Sequence, residues 1–200
     1  MIALIDYGAG NLTSVRKAFA AIGADVWTPS VAGELGRARG IVVPGVGHFD
    51  STSAINDEWR AAIRTTVADG IPLLGICVGM QWLFDGSTEA PNVQGISLLK
   101  GTCHIFSNRI NERLKVPHVG WNSVALPRST RLMHGVKDGS QVYFTHSYAA
   151  PVTDDAAAIT EYGVPFSAAV ERDNISGVQF HPEKSGDVGL RILSNWTNAL

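Results

Sequence analysis

The chain has 200 residues, of which 45% are hydrophobic, and this is long enough for the core of a single domain over residues 1–200. A formal net charge of -2 offers no basic surface for nucleic acid, and no apolar run approaches the roughly 18 residues of a membrane span. A strand pattern follows Met1 without a basic and apolar leader, so we expect a cytoplasmic protein that binds neither membranes nor nucleic acid.

The first part of the chain alternates between strand and helix patterns. Strands are predicted at residues 2–6, 25–28, 40–43 and 71–76. One helix is predicted to begin at the cap Asn11 and end at Gly23, and a second to span residues 56–69. This alternation predicts an α/β fold with a doubly wound, mostly parallel sheet flanked by helices.

After about residue 89, strand patterns follow one another with few helices between them. These strands are predicted at residues 98–106, 115–119, 141–149, 157–162, 166–171 and 175–180, and a last helix at residues 187–196. We interpret this half as antiparallel additions to the sheet, with residues 175–180 apolar enough to form a central strand.

A cysteine between two glycines follows the apolar strand at residues 71–76. The run Gly75-Ile76-Cys77-Val78-Gly79 lies between a strand and a helical pattern, which is the cysteine form of a nucleophile elbow. A helix N-terminus at this point favours a thiolate over a thiol. The alternative is a core cysteine at a strand end, because free cysteines are often buried. The flanking glycines favour the nucleophile, and the second cysteine, Cys103, is then a bystander.

His181-Pro182-Glu183 follows the last strand pattern. In extended backbone, residues i and i+2 point to the same side, so Glu183 can orient the Nδ1–H of His181. Nε2 is then free to take a proton from Cys77, which gives nucleophile, base and orienting group. The carboxyl ends of neighbouring parallel strands meet at one edge of a sheet, so these side chains can meet. The alternative is a surface histidine in a proline turn.

A glycine-rich loop, Pro44-Gly45-Val46-Gly47, follows the strand at residues 40–43. It matches neither of the phosphate-binding patterns Gly-x-x-x-x-Gly-Lys-Ser/Thr and Gly-x-Gly-x-x-Gly. We therefore interpret it as part of an oxyanion hole, with one backbone N–H from near Val46 and one from Val78. An ordinary glycine turn is the alternative. No His, Cys, Asp and Glu cluster has metal-ligand spacing, and we predict neither a metal nor an organic cofactor.

The elbow Gly75-Ile76-Cys77-Val78-Gly79-Met80-Gln81 and the strand followed by His181-Pro182-Glu183 together resemble the class I glutamine amidotransferases. Within that class, three longer segments resemble the glutaminase subunits of imidazole glycerol phosphate synthase, from histidine biosynthesis. These segments are residues 115–122, 142–148 and 177–185. One departure is Ile105, where those subunits usually have a basic residue.

The resemblance implies an activity, a substrate and a partner. Cys77 would attack the side-chain amide of glutamine, and the ammonia would pass to a cyclase subunit with a (β/α)8 barrel. By the same resemblance, Val46 and Gly47 would stabilise the oxyanion. Gln81, Glu89 and Ser147 would recognise glutamine. The face toward the partner, where the ammonia passes, would be formed by Tyr143, Lys184, Trp121 and Asn122.

Three other functions stay open at this point. The chain could be a glutaminase subunit of another synthase, such as anthranilate synthase. It could be a cysteine hydrolase that acts alone on esters or peptides. A redox-sensing protein with a reactive elbow cysteine is the third, and it would not need Glu183.

Overall fold

A seven-stranded sheet forms the centre of the computed structural model, which describes residues 1–106 and 115–200. Its strand order is β10-β11-β12-β4-β3-β1-β2. The strands are β1 (Ile2–Leu4), β2 (Val26–Trp27), β3 (Gly40–Val43), β4 (Leu73–Ile76), β5 (Gly86–Ser87), β6 (Thr102–Ile105), β7 (His118–Ser123), β8 (Gln141–His146), β9 (Tyr148–Ala149), β10 (Ala156–Tyr162), β11 (Val164–Arg172) and β12 (Ile175–Val178). The helices are α1 (Leu12–Ala21), α2 (Asp57–Ala68), α3 (Val78–Trp82) and α4 (Gly186–Thr197). Short 3-10 helices lie at Ala32–Arg37, Phe49–Ala54 and Pro182–Lys184.

Five of the seven strands run parallel, and this confirms the predicted α/β class. β12, β4, β3, β1 and β2 pair in parallel, whereas β10 and β11 extend the sheet antiparallel. β3, β4 and β12 are buried along their whole length, as expected for strands covered on both faces. The parallel register places Val178 beside Ile76, so the chain leaves β4 and β12 at the same edge of the sheet.

Helices cover the sheet, and two of them begin at asparagine caps, of which the sequence predicted Asn11. The side chains of Asn11 and Asn56 accept hydrogen bonds from backbone N–H groups three residues on, each at 3.1 Å. α1 packs on α4, where the rings of Phe19 and Trp196 meet edge to face at 6.1 Å. Within the described ranges, no helix combines the length and apolarity needed to cross a bilayer.

The second half departs from the prediction of antiparallel additions to one sheet. Of the strands after residue 89, β10 and β11 join the central sheet as antiparallel strands, and β12 lies inside it beside β4, as predicted for residues 175–180. β7 and β8 instead form a separate ribbon, and β6 and β9 form a small sheet with β5. The strand predicted at residues 141–149 is wrong as one element, because it breaks at Ser147 into β8 and β9, which belong to different sheets. Alternating apolar residues show that a strand has one buried face, but they do not show which strand it pairs with.

Several predicted boundaries were also too long or displaced. β1 ends at Leu4, β12 ends at Val178, and the strand predicted at residues 98–106 is reduced to β6. The strand predicted at residues 115–119 instead starts at His118 and continues to Ser123. Apolar residues that continue the pattern beyond these strands, such as Phe180, are buried as loop residues, so burial alone does not mark the end of a strand.

Candidate active site

Cys77 lies at the turn between β4 and α3 in a strained backbone conformation. Its φ of 54° and ψ of -110° are rare for a residue other than glycine and cost about 1–3 kcal/mol. The Cys77 N–H donates to the carbonyl of Val178 at 2.8 Å, which ties the turn to β12. A Cβ at Gly79 would lie 1.9 Å from the carbonyl oxygen of Val43, so the turn can pack this closely only with glycine there. The turn therefore has the geometry of a nucleophile elbow.

His181 and Glu183 form a buried pair after β12. His181 Nδ1 lies 2.7 Å from Glu183 Oε1, and the two side chains are 1% and 2% exposed. The sequence predicted that His181 and Glu183 meet because both lie in extended backbone. In the structure only His181 is extended, and Glu183 lies in the 3-10 helix Pro182–Lys184. The backbone of His181 is fixed by its N–H, which donates to Tyr143, and by its carbonyl, which accepts from Ser185. The ring is thus held by its carboxylate partner and by its backbone.

The Cys77 sulfur and the His181 imidazole are electrostatically coupled. Burial by itself lowers the pKa of His181, but interactions with Cys77 and Glu183 outweigh it and raise that pKa to about 10. The pair does not reach hydrogen-bond geometry, and the buried Nε2 of His181 has no hydrogen-bond partner in residues 1–106 and 115–200. The two groups therefore interact as neighbours without a hydrogen bond, and the imidazolium form is favoured when the sulfur is a thiolate.

A cavity of about 210 Å³ opens beside Cys77. It brings together six of the predicted site residues, namely Gly47, Cys77, Val78, Gln81, Glu89 and Ser147. Its other lining residues are Pro117, Thr145, His146 and Tyr148. Val46 is half-buried in the loop before Gly47 and does not line this cavity.

Gln81 and Glu89 present oxygen atoms near this cavity. The Nε2 of Gln81 donates to the carbonyl of Tyr148 at 2.9 Å and to Gln179 Oε1 at 3.1 Å. The Oε1 of Gln81 is buried and has no hydrogen-bond partner in the described part of the chain. Oε2 of Glu89 accepts from the Phe49 N–H at 2.8 Å. A carboxylate and an amide oxygen at one cavity suit a ligand that carries N–H donors.

The loop after β3 is fixed at its start and exposed at its tip. The Tyr7 hydroxyl donates to the Pro44 carbonyl at 2.7 Å, and burial together with the nearby Cys77 raises the pKa of Tyr7. A Cβ at Gly45 would lie 2.7 Å from that hydroxyl, so the close contact needs glycine. Gly47 is exposed and has a φ of +96°, a conformation that glycine adopts readily.

Three of the four residues predicted at the partner face form one surface cluster. Trp121 on β7 is 56% exposed, and its ring centroid lies 6.1 Å from that of Tyr143 on β8. The Nζ of Lys184 lies 5.8 Å from the Tyr143 ring centroid, in a cation–π contact. Asn122 instead donates to the Glu161 carbonyl at 3.1 Å and faces His118 at 3.3 Å.

Two buried histidines next to the cavity were missed as a pair by the sequence prediction. His118 Nδ1 lies 3.1 Å from His146 Nε2, and His146 Nδ1 lies 2.8 Å from the Tyr148 carbonyl. That carbonyl can only accept, so His146 carries its proton on Nδ1 and His118 donates to its Nε2. Burial lowers the pKa of His118 to about 4 and of His146 to about 3, so both rings are neutral at pH 7. Their partner strands β7 and β8 could not be paired from sequence alone.

Gln179 was also missed, although a sequence signal was present. Its Nε2 lies 3.6 Å from the Cys77 sulfur, and the side chain is fully buried. It precedes His181 by two residues at the end of a strand, which is the spacing that places two side chains on one side. The i, i+2 spacing that was used to place Glu183 beside His181 could therefore also have been used to place Gln179 on the same side as His181.

Comparison with known proteins gives the family. The class-I glutamine amidotransferase family model matches residues 3–199. Imidazole glycerol phosphate synthase subunit HisH of Methanothermobacter thermautotrophicus is 44% identical and aligns over 100% of this chain and 99% of its own. The subunit of the same name from Geobacillus thermodenitrificans is 47% identical, over 98% and 94%. In fold, the structure of PurLQS from Thermotoga maritima matches with a TM-score of 0.77 at 18% identity, over 98% of this chain and 97% of that one. The predicted family is thus confirmed, and the chain belongs to the class-I glutamine amidotransferases and, within them, to the HisH subunits of imidazole glycerol phosphate synthase.

Proposed function

We propose that this chain is the glutaminase subunit of an imidazole glycerol phosphate synthase in histidine biosynthesis. It hydrolyses glutamine to glutamate and ammonia, and the ammonia passes to a separate cyclase subunit with a (β/α)8 barrel. The observation that carries the proposal is the buried 2.7 Å contact between His181 and Glu183 beside the strained Cys77. Full-length relatives named as HisH subunits support the choice of synthase.

In the proposed reaction, the Cys77 thiolate attacks the carboxamide carbon of glutamine. His181 gives its proton to the leaving ammonia and then takes one from the water that hydrolyses the glutamyl thioester. Glu183 holds the imidazole by its Nδ1–H and stabilises the imidazolium form. The oxyanion forms near the N–H of Val78 and the segment Val46–Gly47, where one well-placed donor contributes about 3 kcal/mol to the transition state.

We propose that the oxygen atoms at the cavity recognise the α-amino end of glutamine. The Oε1 of Gln81 has its own Nε2 anchored on two acceptors, so the oxygen faces a donor from elsewhere. The Glu89 carboxylate adds negative charge that suits an ammonium group. Ser147 lies at the break between β8 and β9, where its backbone groups can contact the substrate.

The partner face is proposed to be the surface around Trp121, Tyr143 and Lys184, together with Asn122. A tryptophan that is 56% exposed is unusual on a free surface and is typical of the anchors of protein interfaces. The exposed side chain of Val119, two residues before Trp121 on the same strand, adds apolar area. Within the described residues no group of three or more metal-binding side chains occurs, and the reaction as proposed uses none.

The experiment that tests the function is glutamate release from glutamine. It is measured for the chain alone, with a cyclase barrel subunit, and with that subunit plus its nucleotide ligand, and Cys77→Ala serves as the control. Strong release in the complete mixture and none from the control supports the proposal. Stimulation only by a different synthase would assign the chain to another pathway, and ester hydrolysis without any partner would contradict the subunit role.

A further inference from the structure

A single buried amide connects the nucleophile with the side chain that faces the substrate cavity. Gln179 follows β12, and its N–H donates to the Ala168 carbonyl at 2.8 Å. Its Nε2 lies 3.6 Å from the Cys77 sulfur, and its Oε1 accepts from Gln81 Nε2 at 3.1 Å. All three side chains are at most 2% exposed, so water cannot replace these contacts.

The orientation of both amides follows from their acceptors. The Tyr148 carbonyl can only accept, so the atom of Gln81 that faces it is the NH2 group. The same NH2 group then requires an acceptor on Gln179, so the Gln179 oxygen faces Gln81 and its nitrogen faces the sulfur. Reversal of either amide would place two like groups in contact inside the protein. The network thus has one arrangement in which no like groups are in contact, and in it an N–H points at Cys77.

We propose that Gln179 is a positioning residue of the glutaminase reaction. It donates to the Cys77 thiolate, and it keeps the oxygen of Gln81 directed at the cavity. This inference rests on the proposed function, since it assigns Gln179 to that site. The donor stabilises the charged sulfur until the C–S bond forms, and the sulfur then loses its charge and the contact weakens. An amide is suited to this role because it carries no charge and does not compete with His181 for the proton.

The test uses two substitutions that separate donation from packing. Gln179→Met keeps the length of the side chain but removes both polar contacts. Gln179→Glu keeps the shape and can still accept from Gln81, but it has no N–H and places a carboxylate beside the sulfur. Gln141→Met is the matched control, because Gln141 is an exposed glutamine on β8.

The first readout is alkylation of Cys77 by iodoacetamide as a function of pH, followed on the Cys77 peptide by mass spectrometry. The titratable groups that face or couple to this sulfur are Tyr7 and His181, with Glu183 and His146 coupled to His181. None of these is altered in the variants. We expect the pH of half-maximal rate to rise by about one unit in Gln179→Met, because a hydrogen bond to a charged group is lost. It should rise further in Gln179→Glu and stay unchanged in Gln141→Met.

The second readout is the kinetics of glutamate release in the complex with the cyclase. We expect kcat to fall about tenfold in Gln179→Met, since the attacking sulfur loses its hydrogen-bond donor, and KM to rise because Gln81 has lost an acceptor. A merely structural role predicts that the isosteric Gln179→Glu resembles the unsubstituted chain. Unchanged alkylation profiles in both variants would overturn the proposal, and so would a profile in Gln179→Glu equal to that of Gln141→Met.

Failure of the inference can be told apart from failure of the proposed function. If the unsubstituted chain releases no glutamate with the cyclase, the proposed function fails, but alkylation of Cys77 still shows whether Gln179 acts on the sulfur. If Gln179→Met does not fold, as judged by thermal unfolding, an alkylation profile of Gln179→Glu equal to that of Gln141→Met still overturns the proposal.

Discussion

Acidification to about pH 5 should destabilise the folded chain through His118 and His146. Both rings are less than 10% exposed and are held neutral, with pKa values lowered by burial from 6.5 to about 4 and about 3. His118 is also stacked between Phe144 and Tyr162, at ring centroid distances of 4.7 and 4.0 Å. Between pH 6.5 and these lowered pKa values, the unfolded chain therefore binds two protons that the folded chain does not bind.

The size of the effect follows from the difference in proton binding. Well below pH 6.5, each neutral histidine lowers the free energy of unfolding by about 1.4 kcal/mol per pH unit. Integrated down to about pH 5, this gives about 2 kcal/mol for each ring and up to about 4 for the pair, against a typical total of 5–15. His181 has the opposite sign, because its pKa is raised to about 10. It is protonated in both states below pH 6.5 and adds no slope there, whereas the stability it contributes is lost as the pH rises toward 10.

Urea unfolding at several values between pH 6.5 and about pH 5 measures this slope. His118→Gln should keep a donor toward His146 but lose one titrating ring, so we expect about half the slope. His134→Gln is the control, because His134 is exposed, and it should retain the full slope. A stability that does not change over this range, or a full slope in His118→Gln, would show that the pair is not held neutral.

The remaining predictions concern the elbow and the triad. Cys77→Ala should abolish glutamate release in the complex but leave the fold intact, and retained activity would exclude this nucleophile. Glu183→Gln should reduce kcat less than His181→Ala, because an amide oxygen can still accept from the imidazole N–H; equal and complete loss from both would contradict that division of roles. Gly79→Ala should lower the melting temperature sharply, since its Cβ would lie 1.9 Å from a backbone carbonyl oxygen, whereas Gly33→Ala, with open space around the site, should not.

The central sheet and the elbow could be predicted because their signals are local. An apolar run that ends in Gly-x-Cys-x-Gly specifies a buried strand, a tight turn and the residue at the turn. Each glycine has a steric reason that the structure makes explicit, since a Cβ at Gly75 would lie 2.6 Å from the Gly79 carbonyl oxygen.

Contacts between distant residues could not be predicted in the same way. Gln179 meets Cys77 and Gln81 across 102 and 98 residues of sequence. Its spacing from His181 could place it on the same side as that histidine, but it does not identify either partner. The ribbon of β7 and β8 pairs His118 with His146, and the choice of partner depends on packing that one strand pattern does not contain. The sequence could thus identify site residues whose partners are close in the chain. It could not identify residues, such as Gln179, whose partners are distant in the chain.

The two halves of the site differ in how firmly the backbone holds them. Cys77 keeps its strained conformation because β12 accepts its N–H and Gly79 packs against β3, and both contacts are buried. His181 is fixed equally well by bonds to β8 and to Ser185. Gly47, which also lines the cavity, is exposed, and none of the described residues lies within 4 Å of a Cβ position there. Within the proposed function, a partner can therefore shift the oxyanion segment Val46–Gly47 more easily than the triad, because movement of that segment breaks no buried contact of the nucleophile.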